Sequence, residues 1–270
     1  MSVPPFPWDD PNVVQNIDVS RYQRFTSTEW EAIRDAGIAS TSIKATDFDP
    51  GGKPIVDGML DVHQAGALSV GQIVDFYAFL HSDISGRLQA EHLARTIEKR
   101  PRMARYWCDF EDMHRIVPDR RRAFDCLCEF MLVSKNLLGE PGGIYSGPGV
   151  MALIASLGDE LMELAQYDYW VSHYRVDPAT GRDYGLLAPT ISKPWKAAVA
   201  WQVIGDKGPR IPGVDQPLDR SVYLLPGGRA GFETWRHKYD RGEPPTTFPS
   251  TSAVPLGWET RAEADANEDE

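Results

Sequence analysis

The run Tyr106-Trp107-Cys108-Asp109-Phe110-Glu111-Asp112 concentrates the side chains best able to do chemistry. It opens with aromatic and sulfur groups suited to a buried strand and then turns acidic. Alternate residues of a strand face the same way, so Asp109 and Glu111 share a face. Two residues of rise put their Cα atoms roughly 6.6 Å apart, where two carboxylates resist joint ionisation. One of the pair then keeps a proton near neutrality, as a general acid must. The same run also reads as a strand that ends in surface acids. Its neighbours in the fold decide between the two.

The surrounding pattern predicts which elements those neighbours sit on. A short first strand over 16–20 carries Asp18, and Thr26-Ser27-Thr28-Glu29 offers hydroxyls to cap the helix that follows. A strand over 40–46 runs into Asp47, followed by the turn-rich residues 48–52 and a helix over 56–66. A strand over 72–79 bears Tyr77, and a helix over 86–100 ends in Lys99-Arg100, favourable at a helix C-terminus. The acidic strand is fourth, followed by a helix over 120–138. A strand over 142–147 carries Tyr145 and leads into a helix over 148–165. Strands over 167–174, 198–203 (with Trp201) and 220–224 complete the series, and the last two leave no room for a helix between them.

Five strand–helix units followed by about three further strands predict an α/β fold, an irregular TIM-like barrel. Active sites of such barrels gather at the C-terminal strand ends. Asp18, Asp47, Tyr77, Glu111, Tyr145 and Trp201 all fall at or near that rim. The expected organisation is an N-terminal arm over 1–15, one barrel domain over 16–235, and a tail over 236–270. That tail is Pro-rich, then acidic, and expected to be largely disordered.

Bulk properties narrow the function. A net charge of -11 disfavours nucleic acid and anionic membranes as partners. Eight Trp residues suit sugar recognition, although most Trp in any protein is core. Cys108, Cys126 and Cys128 make neither a disulfide framework nor a zinc site, so buried thiols are expected. The six His form no evident triad with a Ser or Cys, and Gly142-Gly143 is too short for a phosphate loop. The first residues lack a basic region and an apolar run, and nowhere do about 20 apolar residues follow one another. A chain synthesised in the cytoplasm without a signal peptide is the expectation.

Taken together, these residues resemble glycoside hydrolase family 25, the Chalaropsis-type muramidases found among phage endolysins. Ile17-Asp18-Val19-Ser20-Arg21-Tyr22-Gln23 is similar to the family's opening motif, and Ile43-Lys44-Ala45-Thr46 to its second. Trp107 to Asp112 resembles the D-x-E motif. Trp201-Gln202, Ile211-Pro212-Gly213 and Leu218-Asp219 resemble the closing segment. Departures fall at Asp47, where the family has Glu, at Ala78 in place of His, and at Val203 in place of Tyr.

The resemblance implies a barrel that cleaves the β-1,4 bond from N-acetylmuramic acid to N-acetylglucosamine in peptidoglycan glycan strands. It implies Glu111 as general acid, with Asp109, Asp18 and Asp219 as the other catalytic acids. Tyr77, Tyr145, Trp201 and Asp47 are the expected substrate-binding residues. Neither a metal nor an organic cofactor is implied, and neither is membrane insertion. Action on the cell wall would follow phage lysis or export. The competing readings are a non-catalytic sugar-binding or virion structural protein on the same barrel, and a different barrel hydrolase.

Overall fold

Nine strands form one sheet in the computed structural model, which describes residues 6–102, 104–177, 179–205 and 208–239. Strand β1 (Gln15–Val19) lies parallel to β2 (Ile38–Phe48), and β2 lies parallel to β4 (Ile73–Phe79). The parallel series continues through β5 (Trp107–Asp109), β6 (Gly143–Ser146), β7 (Asp168–Ser172) and β8 (Ala200–Ile204). Strand β9 (Asp219–Tyr223) then inserts antiparallel between β8 and β1 and closes the barrel. Strand β3 (Pro54–Val56) is an antiparallel flap on the end of β2.

Helices cover the outside. Helix α1 (Ser27–Asp35) begins as its hydroxyls predict: Thr26 Oγ1 accepts from Glu29 N–H, and Glu29 accepts from Thr26 N–H. Then come α2 (Leu60–Ser69), α3 (Gly86–Ile97), the short α4 (Met113–Ile116) and α5 (Arg120–Leu138). Helices α3 and α5 touch closely at Gly86, where an added Cβ would lie 2.2 Å from the Cys126 carbonyl oxygen. Helix α6 (Pro148–Ile154) continues as 3₁₀ turns over Ala155–Gln166. Helix α7 (Gly228–Arg236) is the last described element.

The five βα units and the final loop-linked strands match the expected order. Three differences have physical causes. Residues 54–56 pair with β2 as a hairpin strand, so the second helix starts at Leu60 and not near 56. Helix α7 was not anticipated; Phe232 and Trp235, three apart, face inward onto Tyr223. The N-terminal arm packs against the barrel from Phe6 onward. Phe6 and Trp8 stack at 4.3 Å, with the Arg175 guanidinium over Phe6 and that of Arg220 over Trp8. Most of the expected tail, residues 240–270, lies outside the described residues.

All three cysteines are free; Cys108 and Cys126 are buried and Cys128 is half-buried. No described helix is long and apolar enough to cross a membrane.

Candidate active site

At the C-terminal ends of the parallel strands lies a cavity of about 310 Å³ whose lining includes Asp18, Asp109, Glu111 and Asp219. Each acid reaches it for a local reason. Asp18, next to last in β1, lies directly opposite Asp219, the first residue of β9, as an antiparallel cross-strand pair. Asp109 ends β5. Phe110 follows it, fully buried, with its N–H bonded to the Tyr145 carbonyl and its own carbonyl accepting from Ser146 Oγ. With Phe110 anchored outward, the alternation carries one residue past the strand, and Glu111 joins Asp109 in the groove. Asp112 turns away: its carboxylate caps α4 at His114 and Arg115 and pairs with the Arg115 guanidinium.

Burial first, and neighbouring charges second, govern the ionisation of Asp18, Asp109 and Glu111. Burial lifts the Asp18 carboxyl well above the ordinary carboxylate range, and the charges of Asp219 and Glu111 lift it further. A hydrogen bond from Gln202 Nε2 to Asp18 Oδ2, 3.1 Å long, acts in the opposite direction. Asp109 is likewise pushed well up by burial and then by Glu111, with partial relief from the Lys44 ammonium. Glu111 is raised by burial of its carboxyl, against a hydrogen bond from Tyr145 and the Lys44 charge. Burial of both carboxyls and the charge of Glu111 beside Asp109 thus favour keeping a proton on the pair. Asp109 Oδ1 is buried without a hydrogen-bond partner among the described residues.

A match to the glycosyl hydrolases family 25 covers residues 17–208. The chain belongs to that family. No curated protein matches the sequence of this glycoside hydrolase. Its fold is shared with solved structures of low identity. A bacterial lysozyme from Streptomyces coelicolor is 20% identical with a TM-score of 0.66, over 85% of this chain and 99% of the other. A family 25 lysozyme from Aspergillus fumigatus is 17% identical with a TM-score of 0.64, over 83% and 99%. The catalytic domain of an endolysin from bacteriophage P40 of Listeria monocytogenes is 17% identical with a TM-score of 0.56, over 83% and 97%.

Of the expected substrate-binding residues, this family 25 hydrolase brings Tyr77 and Tyr145 into the groove and leaves Trp201 and Asp47 out of its lining. Trp201 is 1% exposed, donates from Nε1 to the His173 carbonyl, and packs among outward-facing side chains of β7, β8 and β9. The period of two explains it: in Trp201-Gln202 it is Gln202 that faces inward, donating to Asp18 and accepting from the Tyr145 hydroxyl. Asp47 is engaged by Lys44 and by His81 Nε2 at 2.6 Å. Burial opposes its ionisation, but the bonds from His81 and Lys44 outweigh this and hold it down at about 2.

Four residues that sequence reasoning did not single out also shape the site. Lys44 is the cation among the groove-lining residues, 4.7 Å over the Phe79 ring. Trp170 lies edge-on to Tyr145 and donates to Ser221 Oγ, and Tyr174 lines the wall beside it. Tyr22 stands on the rim, 73% exposed, with the Arg21 guanidinium 5.2 Å from its ring centroid. The signal for Trp170 was present: Asp168, Trp170 and Ser172 share one face of β7, opposite Tyr169 and Val171.

Proposed function

We propose that the chain is a muramidase, a peptidoglycan hydrolase that cleaves the β-1,4 bond from N-acetylmuramic acid to N-acetylglucosamine. The observation that carries this reading is the buried pair Asp109 and Glu111 at one end of β5, sharing a groove with Asp18 and Asp219. Membership of a glycoside hydrolase family supports it. So does the likeness to lysozymes and to an endolysin catalytic domain.

The residue roles follow from the charges. The 2-acetamido N–H of the sugar, placed against Asp109, donates to its carboxylate and stabilises the ionised form. The proton held by the pair then rests on Glu111, beside the glycosidic oxygen. Glu111 delivers it as the anomeric C–O bond breaks, and the acetamido oxygen bonds to the anomeric carbon from the opposite face. Water then attacks that carbon on the vacated face, losing a proton to Glu111 and breaking the bond to the acetamido oxygen, which restores both the acid and the acetamido group. This is the substrate-assisted form of glycoside hydrolysis. Whichever of Asp18 and Asp219 is ionised adds negative field near the developing positive charge. Tyr77 and Tyr174 offer faces to the sugar rings. The wall is reached after phage lysis or by export.

The test is incubation of the purified protein with purified peptidoglycan while reducing ends are counted. New ends from the wild type and almost none from Glu111→Gln support the assignment. Binding of wall fragments by the wild type without new ends would favour the non-catalytic sugar-binding reading.

A further inference from the structure

Beneath the groove a buried amide and a phenol join two of the four acids. Gln202 lies on β8, 1% exposed and outside the groove lining. Its Nε2 donates to Asp18 Oδ2 at 3.1 Å, and its Oε1 accepts from the Tyr145 hydroxyl at 2.5 Å. With Nε2 engaged by Asp18, the amide turns its oxygen to Tyr145. Glu111 flanks the same phenol. Phe110 N–H donates to the Tyr145 carbonyl at 2.9 Å, and the Phe110 carbonyl accepts from Ser146 Oγ at 2.7 Å. The chain is thus pinned to β6 immediately before Glu111, whose carboxyl has the Tyr145 hydroxyl as a hydrogen-bond partner in the groove.

A phenol has one proton to donate. That of Tyr145 has two acceptors, the Gln202 carbonyl and the Glu111 carboxyl. The ring is held in place, buried with Trp170 edge-on at 4.9 Å, so rotation of the O–H is the freedom that remains. We propose that Gln202 is a positioning residue for Glu111 that acts through Tyr145. It draws the hydroxyl proton away while Glu111 is protonated and yields it to the carboxylate left once Glu111 has protonated the leaving group. The inference rests on Glu111 as the general acid of the proposed reaction.

No proton leaves Tyr145 in this cycle. Burial, and then the charge of Glu111, push its hydroxyl well above the usual phenol range, so it stays a donor. The O–H turns from a neutral carbonyl to a carboxylate, where the hydrogen bond is charge-assisted and stronger. That bond forms only as charge appears on Glu111, so it lowers the barrier without tightening the resting complex. Without Gln202 the hydroxyl would donate to Glu111 from the start, favour its ionised form and weaken its hold on the proton. Other titratable groups that act with Glu111 are Lys44 on β2, Asp18 on β1, Asp109 at the end of β5, Asp112, and Tyr174 after β7. Tyr174 also shares a hydrogen bond with Tyr145.

The deciding experiment is the pH dependence of kcat/KM on peptidoglycan fragments for Gln202→Met, Tyr145→Phe and the double variant. The alkaline limb reports loss of the acid's proton in the free enzyme. Gln202→Met should move that limb down by about half a pH unit or more, with KM unchanged. Tyr145→Phe should move it up and lower kcat about tenfold or more. The double variant should match Tyr145→Phe, because Gln202 acts only through the hydroxyl. A downward shift that persists without the hydroxyl traces to Asp18 and overturns the proposal. So does an unmoved limb in folded Gln202→Met and Gln202→Leu, or failure of both to fold, which assigns the amide to stability. Cleavage that leaves N-acetylglucosamine at the new reducing ends removes the muramidase reading alone. A wild type that makes no new ends from any glycan removes both.

Discussion

Phe110 separates the two acids of the proposed reaction, and its burial is what turns both toward the groove. A proton held by such a pair is available only while one member stays protonated. Glu111→Gln keeps size and polarity but removes the transferable proton, so turnover should fall by roughly 10² to 10⁴ while fragment affinity persists. Steady-state rates beside equilibrium binding on the same fragments check this. Two aromatic residues should give opposite signatures. Tyr22, exposed on the rim, is expected to change stability by no more than about 0.5 kcal/mol on truncation to Ala, yet to raise KM severalfold. Trp201, buried against the outer face of the barrel, should cost about 3–5 kcal/mol as Trp201→Ala with KM per folded molecule unchanged. Denaturant titration paired with kinetics separates the two.

At the scale of elements, the βα series was legible because alternating apolar strands and capped helices repeat along the chain, and four acids fell at strand ends. The facing of Trp201 was not, because register sets which of two adjacent residues points inward, and a single strand does not display its register. Asp47 lies outside the groove lining for a related reason: besides Lys44 on its own strand it engages His81, which follows β4 and comes alongside only when β2 and β4 pair. The insertion of β9 antiparallel between β8 and β1 brings Asp219 opposite Asp18, across a separation no local pattern records. Helix α7 holds β9 in place, since Phe232 and Trp235 pack on Tyr223 and Trp235 donates to Asp168. Phe232→Ala should lower stability by about 3–5 kcal/mol, read by chemical denaturation.

The barrel interior carries a pH signature of its own. Asp75 is raised from 3.8 to about 7 on folding, so the folded state binds the extra proton between those values. Stability from this group falls as pH rises through that window and levels off above it, a span on the order of 4 kcal/mol. Asp75→Asn should therefore gain melting temperature over the wild type at pH 8 and much less at pH 4. Calorimetry at the two pH values tests the sign.

For the whole molecule, a net charge of -11 sets the protein against an anionic wall. Repulsion between them is screened over about 8 Å at physiological ionic strength and over about 30 Å at 0.01 M. Clearing of intact walls should accelerate between those salt concentrations, while hydrolysis of small uncharged glycan fragments should not. The fold and family membership make the chain a glycoside hydrolase, and the central claim is which bond it cuts. The direct measurement is borohydride reduction of the digested peptidoglycan, followed by mass analysis of the fragment ends. Reduced N-acetylmuramic acid is expected at the new termini, absent from the Glu111→Gln digest. Reduced N-acetylglucosamine at those termini, or no new termini from the wild type, would contradict it.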